Sequence, residues 1–326
     1  MSLAEFALID RLRARAGQRD DVVLGIGDDA ALLALPPGEQ LVVTADTLNS
    51  GAHFPAETSP FDIGWKTLAV NLSDLAAMGA QPRWVTLSLS LPDGDPAWLD
   101  GFADGLFALA GQHGVALVGG DTTRGPLSIS VTAMGSIPAG QALRRDGARS
   151  GDEVWISGVP GEAALALALW QRGALDVVVP AADPHAEALR LRLCRPTPRV
   201  ALGMALRGIA TAAIDISDGL TADLGHLCAR SGVAARLQLQ AMPRSAALDV
   251  HATSGQAWPL QAGGGDDYEL CFTASPENRG QVLAAAAAAG VGVSCIGHLE
   301  TGQGVHWQQP DGQPWSPARS GFDHFR

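Results

Sequence analysis

VVLGIGDDAALL, residues 22–33, sets Asp28 and Asp29 side by side in a run that is otherwise apolar or glycine. Two folds compete for it. Gly25-x-Gly27-x-x-Ala30 after VVL has the spacing of a dinucleotide-binding turn, and Asp46 lies roughly where a ribose-binding acid would stand. In that motif, however, a pyrophosphate approaches bare backbone amides, and two aspartates in the turn repel it. Pro36, Pro37 and Gly38 also interrupt any full helix before the next strand signal, LVVTAD at 41–46. The run therefore reads as a strand that ends in an acidic turn, with a plain polar turn as the bland alternative.

Working outward, strand and helix signals alternate. Ser59 and Pro60 supply an N-cap and a first helical residue for SPFDIGWKTLAVNLSDLAAMGA. WVTLSLSL reads as a strand, PAWLDGFADGLFALAGQHG as a helix, and VALVGGD and LSISVTAMGSI as strands. In residues 139–152 the apolar periodicity stops, which places a domain boundary there, taken as 1–147 and 148–326. Beyond it DEVWISG, TAAIDIS, ELCFTAS and VSCIGHL read as strands, with helices in 160–207, from about Gly219 and from Pro276. Mixed elements in both halves predict two α/β or α+β domains. Phe6, Ile9 and Leu12 predict an amphipathic helix near the N-terminus.

Composition narrows the function. Apolar residues make up 47% and charged ones 17%, which describes a folded, soluble chain. A net charge of -12 argues against a sequence-independent hold on nucleic acid or an anionic membrane. Lys66, the only lysine, sits in GWKTLAV, so no G-x-x-x-x-G-K-[ST] phosphate loop exists. Cys194, Cys228, Cys271 and Cys295 form no C-x-x-C, and reduced thiols in a cytoplasmic protein are expected.

The aspartates fall where apolar elements meet turns: Asp28 and Asp29, Asp46, Asp121, Asp215 and Asp218, and Asp266 and Asp267. Asp74 and Asn71 instead share one face of a helix too apolar for a solvated stripe. Two like charges about 4 Å apart cost roughly 1 kcal/mol in water and about 4 near a protein surface. Converging acids thus demand cations, and carboxylates with hydroxyls such as Thr44 and Thr122 suit magnesium, which keeps positions open for phosphates.

GIGDDAALL, TADTLNSGAHF, KTLAVNLSDLAAMGA, GGDTTRGPLS, IDISDGLTADLGH, GGGDDYELCF and the tail GFDHF resemble, in this order and over essentially the whole chain, the motifs of bacterial thiamine-monophosphate kinases. The resemblance implies the fold shared with aminoimidazole-ribotide synthetase: an N-terminal α/β domain, a C-terminal α+β domain, and a homodimer pairing the N-terminal domains. It implies direct transfer of the γ-phosphoryl of ATP to thiamine monophosphate, with several Mg2+ ions, ATP as co-substrate, and K+ as a further candidate ion. By motif, Asp29, Thr44, Asp46, Asp74, Asp121, Asp215 and Asp218 are expected metal ligands, with the main chain of Ala45. Gly120, Asp121, Arg145 and Ser217 are expected at ATP, and His53, Asp266 and Phe322 at thiamine monophosphate.

Two positions depart from the family. Asp266 stands where Glu is common, and Ala45 where Thr or Ser is usual. Taken alone, His53 reads as a loop histidine, Arg145 as one of two adjacent surface arginines, and Phe322 as tail packing; only the motifs give them roles. The rival readings are another ATP-using enzyme of this fold, such as the purine-synthesis ligase, and a non-catalytic nucleotide or magnesium sensor. Selenophosphate synthetase is disfavoured because no cysteine precedes Cys194.

Overall fold

In the computed structural model, which describes residues 5–17, 19–253 and 255–322, the chain divides into two units: Met1–Leu75 with Ala80–Gly140, and Ala76–Gly79 with Gln141–Arg326.

The first unit runs α1 (Glu5–Arg15), β1 (Val22–Leu24), β2 (Leu32–Leu33), β3 (Glu39–Asn49), α2 (Pro60–Ala77), β4 (Gln81–Leu91), α3 (Pro96–His113), β5 (Ala116–Arg124) and β6 (Ser128–Pro138). A four-stranded sheet has the order β3-β6-β4-β5; only β4 and β5, joined through α3, are parallel. Ser59 Oγ accepts the Asp62 amide at 3.2 Å at the start of α2. Asp95 caps α3 through the Ala97 amide at 2.9 Å, and Gly114 ends it with φ 62°. The two helices meet backbone to backbone. A Cβ at Gly64 would lie 2.0 Å from the Phe102 carbonyl, and one at Gly105 would lie 1.8 Å from that of Phe61. Lys66 and Asp62, one turn apart on α2, are both buried.

The N-terminal helix forms, but its buried stripe differs from the expectation. Leu8 and Leu12 face inward, while Phe6 is 77% exposed. Positions four apart fit one inner line here, and Phe6 falls off it.

The second unit contains β7 (Glu153–Ser157), α4 (Glu162–Gln171), α5 (Pro184–Cys194), α6 (Val200–Ala205), β8 (Ala212–Ile216), α7 (Leu220–Ser231), β9 (Ala234–Gln238), α8 (Ala246–His251), α9 (Ala257–Gly263), β10 (Glu269–Ala274), α10 (Arg279–Ala288), β11 (Val293–Glu300), β12 (Gly304–Gln308) and β13 (Pro314–Trp315). Its seven-stranded sheet has the order β13-β12-β9-β11-β7-β10-β8, antiparallel except for β12 beside β9. One cluster packs Leu224 and Leu227 of α7 against Ile156, Ile214 and Ile296. A second joins α4, α5 and α8 through Leu165, Leu169, Leu189, Leu193 and Leu248. The helix expected from Pro276 begins with a single 3-10 turn, Pro276–Asn278, and α10 proper starts at Arg279.

Candidate active site

The expected site residues fall into two groups, one in each unit. In the first unit, β3 meets α2. Thr44 Oγ1 donates to Asp74 Oδ2 at 2.5 Å, and the Asp46 amide donates to Asn71 Oδ1 at 3.2 Å. Asn71 is held in turn by its Nδ2 donating to the Thr67 carbonyl at 3.0 Å. On a helix otherwise buried from Leu68 to Ala77, Asp74 alone is half-exposed. Thr44, Asp46 and Asp74 thus share one polar corner, with Ala45 exposed on the strand between them.

Asp121 is elsewhere. Residues paired across strands share a face, and Asp121 pairs with Ser88, Ser88 with Ser130, and Ser130 with Thr47. The Thr47 and Ser130 hydroxyls are 2.6 Å apart. This row lies on the face opposite Thr44 and Asp46, and β3 and β5 are the two edges of the sheet. Three strand spacings make the edges about 14 Å apart. One copy of this unit therefore does not bring Asp121 to Asp46. Gly120, with φ 151°, passes so close to β4 that a Cβ would lie 1.8 Å from the Leu87 carbonyl. Gly120 and Asp121 line a pocket with Gly119, Thr122 and, from α1, Ile9 and Leu12.

Asp29 is exposed in the turn after β1, where its amide is accepted by Asp28 Oδ1 at 2.9 Å. Asp28 therefore shapes the turn. Gly27 in this turn lies against the Arg13 guanidinium, with a Cβ there 2.9 Å from its Cζ. His53 Nδ1 accepts the Asn49 amide at 3.0 Å, which leaves its proton on Nε2 in the neutral ring.

In the second unit three segments converge. Asp215, 4% exposed, is the penultimate residue of β8, which runs through Ile216 into Ser217 and Asp218, both half-buried. The Asp266 amide donates to the Ser217 carbonyl at 2.8 Å, and the Tyr268 amide to that of Ile216 at 2.8 Å. From the tail, the Phe322 amide donates to the Asp218 carbonyl at 2.9 Å and the Ala222 amide to that of Ser320 at 3.0 Å. The Phe322 ring is 55% exposed. The rest of the tail motif, residues 323–325, lies outside the described residues. Arg145 is exposed, and its carbonyl accepts the Ser231 hydroxyl at 2.7 Å. Arg144, its neighbour, is committed to Asp146.

The sequence reading missed Asp223. Its Oδ2 accepts the amides of Ser217, Asp218 and Gly219 at 3.1, 3.1 and 3.0 Å, so a buried carboxylate holds the whole turn. Burial pushes this carboxyl up to about 6; the charge of Asp218 adds to the rise, while the three amides oppose it. An acid in the first turn of a helix was its only sequence signal. Also missed was the support behind Asp266. Asp267 is fully buried, with Oδ2 accepting the Gly161 amide at 2.8 Å. Glu269, equally buried, receives Arg192, Arg199 and Ser157.

Among the described residues, no three His, Cys, Asp or Glu side chains gather closely enough to hold a metal ion. Every expected ligand is nonetheless a hard oxygen donor, and the Thr44, Asp46 and Asp74 corner is built from oxygens only. This donor set fits a magnesium ion that takes its remaining oxygens from phosphate and water.

Comparison with known proteins follows the same lines. Residues 27–137 match the AIR synthase related protein, N-terminal domain, and residues 149–308 match its C-terminal domain. The chain is 47% identical over 327 residues to the thiamine-monophosphate kinase of Salmonella typhimurium, covering 100% of this chain and 99% of that one. A crystal structure of thiamine-monophosphate kinase from Stenotrophomonas maltophilia superposes with a TM-score of 0.90 at 59% identity, covering 97% and 99% of the two chains. AaThiL complexed with AMPPCP and TMP superposes with a TM-score of 0.78 at 32% identity, covering 100% and 99%. The chain belongs to the thiamine-monophosphate kinase family, on the AIR synthase related fold.

Proposed function

We propose that this protein transfers the γ-phosphoryl group of ATP to the phosphate of thiamine monophosphate, giving thiamine diphosphate and ADP. The observation that carries the reading is the hydrogen-bonded convergence of 217–218, 266 and 322, segments that the family resemblance assigns to ATP, metal and substrate. A solved relative complexed with AMPPCP and TMP supports the same substrate pair.

The chemistry asks little of a general base. The second pKa of a phosphomonoester is about 6, so the attacking oxygen is largely ionised at neutral pH. That oxygen bonds to the γ-phosphorus as the bond to the bridging oxygen breaks, and ADP leaves with the electron pair. What the protein supplies is alignment and charge compensation in a loose transition state. Bound Mg2+ would neutralise the phosphate oxygens. In the first unit Asp29, Thr44, Asp46, Asp74 and Asp121, with the main chain of Ala45, would serve as Mg2+ ligands, and in the second unit Asp215 and Asp218 would do so. Gly120, Asp121, Ser217 and Arg145 are assigned to ATP, and His53, Asp266 and Phe322 to thiamine monophosphate. A monovalent K+ ion is the further candidate.

We also assign the working form as a homodimer through the first unit. Leu41 and Val43 on edge strand β3 are 50% and 55% exposed, an apolar surface that pairing would cover. Asp121, in register with Thr47 through Ser88 and Ser130, lies on that same face of the sheet. The four free cysteines support a cytoplasmic setting. Among the described residues no helix is long and apolar enough to cross a membrane.

Product analysis with ATP, Mg2+ and thiamine monophosphate tests the reading. Thiamine diphosphate and ADP are expected in equal amounts, and a folded protein that forms neither overturns it.

A further inference from the structure

Among the described residues, only Asp266 and Tyr268 are non-glycine residues with positive φ, at 68° and 50°. Left-handed backbone at two side-chain-bearing residues in one turn is costly, and it persists only where the surroundings hold it. Here each strained residue is tied by its amide to the end of β8, through Ser217 and Ile216. Asp267, between them, turns inward and is buried. Asp266 and Tyr268 are thereby set together, and the Tyr268 hydroxyl donates to Asp266 Oδ1 at 3.1 Å. This is the only tyrosine in the chain.

A carboxylate at this point repels a phosphate and attracts an N–H donor or a cationic ring by a charge-assisted hydrogen bond. Asp266 therefore belongs with the organic end of the substrate. Its side chain is short, so its reach depends on a fixed rotamer. We propose that Tyr268 is a positioning residue, whose hydroxyl fixes the Asp266 carboxylate to recognise the amino-bearing or cationic heteroaromatic part of the substrate. This rests on the thiamine-monophosphate reading above.

The test compares the full-length wild type, Tyr268→Phe, Asp266→Asn and the double variant in steady-state kinetics. Tyr268→Phe should raise the KM for thiamine monophosphate about five- to tenfold, with kcat within about twofold and the KM for ATP unchanged. In the Asp266→Asn background the same change should shift that KM, or the calorimetric Kd if turnover is too slow, by less than about twofold. An unmoved KM, an equal rise in the KM for ATP, or additive effects in the double variant overturn the proposal. So does a Tyr268→Phe protein that melts far below the wild type, because the hydroxyl then serves the fold. Wild type that makes no thiamine diphosphate sinks the functional reading itself; an active wild type with an indifferent Tyr268→Phe variant sinks only the role of Tyr268.

Discussion

The Thr44 hydroxyl donates to Asp74 Oδ2 across 2.5 Å, joining the edge strand of the first sheet to the one half-exposed acid of a buried helix segment. Replacing Asp74 by Asn keeps the volume and removes the charge that a metal ion needs. Turnover should fall by about two orders of magnitude or more, with a melting temperature near that of the wild type. Kinetics and calorimetry on one preparation check both halves, and wild-type rates would count against the metal assignment.

Asp223 gathers three consecutive amides at the turn that carries Ser217 and Asp218. Asp223→Ala leaves those donors without their acceptor, each at a cost of about 1–3 kcal/mol if no water replaces it. Turnover should drop at least about tenfold, and amide exchange at 217–219 should quicken while β7 and β10 stay protected. Unchanged exchange at those three amides would refute the role.

Asp267 is held well above the usual carboxylate range, chiefly by burial, and its Oδ1 has no hydrogen-bond partner among the described residues. A carboxyl whose folded pKa is raised gives stability that is complete below its unfolded value, near 3.8, and lost as pH rises through the folded one. Asp267→Asn stays neutral throughout. Urea unfolding should show the variant at least as stable as the wild type at pH 8, with the difference shrinking towards pH 4. A variant weaker at pH 8 would contradict this.

Glu269 shows the opposite sign. Burial pushes its carboxyl up, but the hydrogen bonds from Arg199 and the charges of Arg192 and Arg199 outweigh that, so it ends below its usual value. Its stabilisation is present above the unfolded value, near 4.5, and lost as pH falls through the folded one. Glu269→Gln leaves two largely buried guanidinium groups short of a partner and should cost about 3 kcal/mol at neutral pH. Chemical denaturation at pH 7 measures it, and a loss under about 1 kcal/mol would show that the arginines find other partners.

Gly105 tests the helix contact. Its missing Cβ would meet the Phe61 carbonyl, so Gly105→Ala must push two backbones apart. A destabilisation of about 2–4 kcal/mol is expected. Gly111→Ala on the same helix, where nothing lies within 4 Å, should be neutral or stabilising by comparison.

Strands and helices with strong periodicity were readable from sequence. SPFDIGWKTLAVNLSDLAAMGA gave α2 through its Ser59 cap, and WVTLSLSL gave β4, because apolar alternation there matches burial residue by residue. β9, β12 and the short helices α8 and α9 escaped, being five to seven residues long and lacking a cap-and-stop pair. Acids at strand ends were visible as candidates, but the register that sends Asp121 to the opposite face from Asp46 was not, since it depends on pairing between distant segments. Asp223 and Tyr268 were hidden for a related reason: each acts through another residue.

The Phe322 amide closes on the Asp218 carbonyl, and Ser320 receives the Ala222 amide. In the order of synthesis, the turn at 217–219 is made long before the strand of chain that completes it. Its last hydrogen bonds form only after residues 320–322 have left the ribosome, so this turn waits on a segment synthesised well after it.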